Sequence, residues 1–231
     1  MNDNPQVLGS PYAGSPVAAQ RNRVLRNTYW LLALSMVPTV LGAWIGMASG
    51  IATMLSPGIS MVVFLAGTFG FMFAVEKTKN SAAGVPVLLG FTFFMGLMLS
   101  RMLGVVLGMQ NGASLVMTAF AGTGAVFFGM ASLSSVIKRD LSVMGKWLFI
   151  GAILLLVAGI ANFFIQSSAL TITLAVLAIG IFSAFILHDL KRVKDGHETN
   201  YITATLGVYL SLYNVFQSLL MLLGLGGGRD E

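Results

Sequence analysis

Residues 147–165 read Trp-Leu-Phe-Ile-Gly-Ala-Ile-Leu-Leu-Leu-Val-Ala-Gly-Ile-Ala-Asn-Phe-Phe-Ile, and this run decides the fold class. It carries no charge, and as a helix rising about 1.5 Å per residue it approaches the roughly 30 Å of a bilayer's hydrocarbon core. Working outward, apolar stretches of span length recur at 29–48, 57–75, 84–103, 113–137, 144–165, 170–187 and 202–225, joined by short connections. The reading is an all-α membrane protein with seven transmembrane helices forming one domain over residues 28–225.

Composition agrees. Of 231 residues 56% are hydrophobic and 9% charged, with a mean hydropathy of +0.86, whereas a soluble domain carries about a quarter charged residues. The 27 glycines suit helices that approach closely in lipid. The net charge of +5 does not point to nucleic acid, because the 13 basic residues are scattered between apolar runs and form no binding face. With no cysteine, disulfides and thiolate metal sites are excluded.

The basic residues also orient the chain, since Lys and Arg in short loops stay cytoplasmic. Arg21, Arg23 and Arg26 precede the first span; Lys77 and Lys79 follow the second; Lys138, Arg139 and Lys146 follow the fourth; Lys191, Arg192 and Lys194 follow the sixth. Eleven of the 13 thus fall on one side, leaving Arg101 and Arg229 on the other. The N-terminus is predicted inside and the C-terminus outside. Residues 1–27, with Pro5, Pro11 and Pro16 and several Gly, Ser and Asn, are expected to be a flexible cytoplasmic tail, and 226–231 a short external one.

Within the spans, Gly42, Gly46 and Gly50 repeat at four-residue spacing, echoed by Gly104 and Gly108, and read as packing stripes. Asp189 ends the sixth span as the only carboxylate close to a span interior. Either it sits at headgroup level beside Lys191 and Arg192, or it points into the bundle and senses or passes ions. His188 faces about 100° away and is expected to snorkel to water. Gly207, Ser211, Asn214 and Ser218 make a polar stripe on the last span, which should bring that helix inside the bundle. That stripe either bonds to neighbouring helices or lines a cavity reached by Asp189. No catalytic constellation emerges. Ser114 and His188 lie at opposite ends of their helices, Asp189 has no second intramembrane aspartate, and His188, Asp195, His197 and Glu198 match no helical metal spacing. No cofactor is implied.

Four motifs carry a family likeness: Val24-Leu25-Arg26-Asn27-Thr28-Tyr29, Lys138-Arg139-Asp140-Leu141-Ser142, Gly196-His197-Glu198-Thr199-Asn200-Tyr201-Ile202, and Tyr209-Leu210-Ser211-Leu212-Tyr213-Asn214-Val215-Phe216. Together they resemble the Bax inhibitor-1 family of seven-span membrane proteins, in particular its bacterial YccA-type branch. The resemblance implies a central last helix wrapped by the other six, and an inner-membrane protein. It also implies two functions. Calcium-leak members pair one aspartate ending the sixth span with one in the seventh as a pH-sensitive latch. Asp189 matches the first position, while the second falls on Ser211. YccA-type members instead associate with the ATP-dependent membrane protease FtsH, as substrate and modulator, and the tail with Arg21, Arg23 and Arg26 then serves as the handle for the unfoldase. The FtsH reading ranks first; a pH-sensitive calcium or proton leak at Asp189, Ser211 and Asn214 is the alternative.

Cysteine introduced at Asn2 should resist an impermeant thiol reagent in intact cells and cysteine at Gln110 should react. The absence of native cysteine makes the contrast clean, and reversed labelling overturns the orientation.

Overall fold

The computed structural model describes residues 16–227. Seven long helices and one short one account for the architecture: α1 (Pro16–Ser49), α2 (Ile51–Met54), α3 (Pro57–Thr78), α4 (Gly84–Leu107), α5 (Gly112–Val136), α6 (Ser142–Ile165), α7 (Ser168–Asp195) and α8 (Tyr201–Gly227). All but α2 are long and apolar enough to cross a membrane. Each predicted span lies on one of these helices.

Two boundaries differ most from the sequence reading. α1 starts at Pro16, so residues 16–27, expected within a flexible tail, are helical, while 1–15 lie outside the described residues. The cause is a long-range contact, because Val24 packs with Val193 of α7 and Ala204 of α8 in a small buried cluster. α7 likewise runs to Asp195, past the expected end at Leu187. An ion pair one turn apart, Lys191 Nζ to Asp195 Oδ1 at 2.5 Å, supports the added turns.

As expected, α8 is central: it packs against α1, α3, α4, α5 and α7. α4 shares the interior, turning Leu88, Phe91, Met95, Leu99 and Leu103 into the core at helical spacing. They meet Ile186 and Leu190 from α7 and Ile202, Val208, Tyr209 and Val215 from α8. α6 is the outermost element, resting on α7 with none of its residues buried. Its exposed Trp147, Phe149, Leu154 and Phe164 face the bilayer. Trp30, Trp44 and Trp147 are likewise exposed on the outer surface of the bundle.

The most extensive packing joins α1 to α4. Gly42 and Gly46 lie against Phe93 O and Ser100 of α4, and Gly96 lies against Thr39 O of α1, so the two backbones touch with no room for a Cβ. Gly42 and Gly46 thus pack as read. Gly104 and Gly108 do not: open space surrounds Gly104, and Gly108 caps the end of α4. Their counterpart in the seam is Gly96.

Gly42→Ala or Gly96→Ala should lower stability by about 1–3 kcal/mol through overpacking, whereas Gly104→Ala should be neutral or slightly stabilising in a helix. Thermal unfolding in detergent reads the difference, and equal midpoints for all three variants would remove the seam from the account.

Candidate functional site

The polar residues of the sequence gather at the end of the bundle where the basic loops lie. The Gly196–Asn200 link explains how. Gly196 takes a left-handed conformation (φ 83°) and terminates α7, with its N–H donating to Val193 O at 3.1 Å. His197 N and Glu198 N then both donate to Arg192 O, at 2.8 and 3.1 Å. Asn200 opens α8: its Oδ1 accepts from Ile202 N at 2.9 Å and Thr203 N at 3.2 Å. Its Nδ2 reaches across to the α3–α4 turn, donating to Lys79 O at 3.0 Å and Asn80 Oδ1 at 2.9 Å. One amide thus caps a helix and ties two loops together.

Other side chains extend this knitting. Lys194 Nζ donates to Ala131 O at 3.2 Å, to Ser134 Oγ at 2.7 Å and to Ser135 Oγ, holding the end of α5. The motif at 138–142 starts α6, where Asp140 Oδ1 accepts from Ser142 N at 2.8 Å and Ser142 Oγ at 2.6 Å. These hydrogen bonds from Ser142 hold the Asp140 carboxyl below its usual range. Of the acidic and imidazole residues near this end, Asp195 pairs with Lys191, and Glu198 accepts from Asn200 N at 2.9 Å while lying 4.0 Å from Arg192. Arg21, on α1, sits over Gly196; Arg21, Arg23 and Arg26 are exposed on the helix.

Asp189 lies inside α7, nearly six turns from its N-terminal end and under two turns before its C-terminus, and its side chain is 18% exposed. It points toward α8, where a Cβ on Gly207 would stand 2.6 Å from Asp189 Oδ2. Glycine at 207 is what lets the carboxylate approach that helix. His188 is buried rather than snorkelling. Its Nδ1 lies 3.1 Å from Asp189 Oδ1, and its ring covers Gly145 of α6, where a Cβ would meet Nε2 at 2.5 Å. Two neighbours on a helix diverge at Cα, yet their side chains meet because both bend into the space left by glycines on the flanking helices. A cleft of about 470 Å³ opens here between α6 and α7, with Lys146, His188, Asp189, Arg192 and His197 around it.

Ser211 and Asn214 turn back on their own helix. Ser211 Oγ donates to Gly207 O at 3.0 Å and Asn214 Nδ2 to Leu210 O at 2.8 Å. Ser211 is buried one turn from the glycine that faces Asp189, so the structure brings Asp189 and the 207–211 turn together and leaves Asn214 a turn further along. The interhelical hydrogen bonds of α8 come from a face that the sequence reading passed over. Tyr209 OH lies 2.8 Å from Thr39 Oγ1 and 3.4 Å from Thr92 O; Tyr213 OH donates to Met95 O at 3.4 Å. Thr205 Oγ1 is 3.4 Å from Thr28 O. The signal was present as Thr205, Tyr209 and Tyr213 at steps of four.

Comparison with known proteins adds the following. Residues 21–228 match the family described as inhibitor of apoptosis-promoting Bax1. The chain is 37% identical over 203 residues to the modulator of FtsH protease YccA of Escherichia coli, covering 88% of this chain and 90% of that one. An inner membrane protein YccA from a second Escherichia coli strain matches to the same extent. A membrane protein of Vibrio cholerae is 37% identical over 211 residues, covering 91% of this chain and 93% of its own.

Asn200→Ala removes the cap and the inter-loop bridge together and should cost about 1–2 kcal/mol. Asn200→Asp keeps the acceptor but loses both donors, so it should fall between wild type and Ala. Chemical or thermal unfolding of the three proteins orders them, and an unchanged Ala variant would deny the residue this role.

Proposed function

Because the chain belongs to the family of the inhibitor of apoptosis-promoting Bax1, we propose that it is an inner-membrane protein that associates with an FtsH-type ATP-dependent protease, modulates its proteolysis of other membrane proteins, and is itself drawn in as a substrate. The N-terminus is cytoplasmic and the C-terminus periplasmic in this reading, as the basic loops suggest. The observation that carries it is the extent of likeness to a named modulator of that protease, 37% identity over 88% of the chain. A modulator acts through its surface, and no catalytic role is assigned to any residue.

The side chain at 211 weighs against the leak reading. A shared-proton latch needs a second carboxylate opposite Asp189, and Ser211 instead satisfies its hydroxyl on Gly207 O. Asp189, held by His188 and seated on α8, then has a positioning role at the basic end of the bundle.

The handle is assigned to the residues ahead of α1. Since 16–27 are helical, with Arg21, Arg23 and Arg26 on that helix and Val24 anchoring it, the handle moves from those arginines to residues 1–15, a length of at most about 50 Å at roughly 3.3 Å per residue.

Deletion of residues 2–15 should lengthen the half-life in cells containing the protease and leave it unchanged in cells lacking it. Because the deletion leaves every described helix in place, the truncated protein should still co-purify with the protease and inhibit it more strongly. Equal rapid loss of both forms would move the handle elsewhere, and failure of either form to co-purify would overturn the partner.

A further inference from the structure

The cleft between the basic ends of α6 and α7 combines three properties. Its rim is cationic, with exposed Lys146 on the first turns of α6 and Arg192 and His197 on the α7 side. Its walls are aromatic, formed by Phe149 and Phe185. It also borders the lipid-facing surface, since Phe149 is 62% exposed and α6 buries none of its residues. Trp147, next to Lys146, and Trp30 on α1 place it at the depth of the membrane interface.

Each carboxylate near the opening has a local partner. Asp189 Oδ1 lies 3.1 Å from His188 Nδ1 and its Oδ2 is over Gly207. Asp140 is bonded to Ser142, and Glu198 caps Asn200 N. Lys146, which has no carboxylate within ion-pairing distance among the described residues, and Arg192, whose carboxylate neighbour Glu198 stands 4.0 Å away, face the opening with His197 beside them. The first turn of α6 adds the positive end of a helix dipole, since Ser142 and Gly145 are part of the lining.

We propose that this cleft binds one anionic phospholipid of the adjacent leaflet, its phosphate between Lys146 and Arg192 and an acyl chain along Phe149 and Phe185. A soluble anion would use the rim and leave the aromatic walls without purpose. A zwitterionic lipid would bring a quaternary ammonium to a rim that is already positive. The binding surface at an interface is worth most when charge and apolar area are both matched. α6, which packs chiefly on α7, forms the lipid-facing wall along which the chain would lie.

The test is native mass spectrometry of the full chain in detergent with equal amounts of phosphatidylglycerol and phosphatidylcholine, with no protease present, so that it stands or falls apart from the proposed function. Wild type should retain phosphatidylglycerol in preference by about tenfold. Lys146→Gln with Arg192→Gln should lose that preference. The pair Lys77→Gln with Lys79→Gln, on another basic loop, should keep it. If the first pair does not fold, Lys146→Gln alone, at an exposed position, should weaken the preference. Equal retention of both lipids by wild type, or equal loss from the Lys77 and Lys79 pair, overturns the site. Displacement of the lipid by millimolar inorganic phosphate would assign the cleft to a soluble anion and overturn the lipid.

Discussion

Hydrocarbon offers no partner to a polar group, and the whole arrangement follows from that. Most hydroxyls within the spans turn to the nearest acceptor, a carbonyl one turn back on the same helix. Thr28 bonds to Val24 O, Ser35 to Leu31 O, Thr123 to Ala119 O, Thr205 to Tyr201 O and Ser211 to Gly207 O. Once polar groups are satisfied locally, they contribute little to holding one helix against another. That work passes to shape, as in the contact of α1 with α4, and to a few long side chains that reach across, chiefly Tyr209 and Tyr213.

At the basic end, water is within reach and the rule changes. Here side chains bridge elements instead of folding back: Lys194 to α5, Asn200 to the α3–α4 turn, Arg192 toward Glu198. The motifs by which this chain resembles its family fall largely on this end. Their spacing reflects terminators and caps, Gly196 and Asn200 above all, more than any chemistry of reaction. Asp189 and His188 sit at the border between the two regimes, enclosed enough to need a fixed partner and 3.1 Å from each other.

Legibility in the sequence followed the same division. Span number and the central place of α8 were readable, because hydropathy and polarity are properties of single segments. The reason for centrality was misassigned: the Ser211 and Asn214 stripe is turned inward on itself, and Thr205, Tyr209 and Tyr213 make the links. Gly42 and Gly46 were legible as a stripe, but the choice of Gly96 over Gly104 as the opposite side depends on the register of two helices, which no local pattern encodes. The helical start at Pro16 depends on Val24 meeting Val193 and Ala204, partners about 170 residues and more away in the chain. The pairing of His188 with Asp189 was hidden because helical angle alone separates them. The glycines that admit them, Gly145 and Gly207, belong to other helices.

The seam between α1 and α4 has a mechanical consequence. A force drawn along α1 from its N-terminal end runs parallel to the seam, so Gly42, Gly46 and Gly96 are sheared together and do not separate one after another. Shear shares tension among many contacts at once and resists extraction far better than peeling. α6, leaning chiefly on α7, has no such seam. α1, the first helix of the described residues, is thus the one whose packing such a force would have to shear.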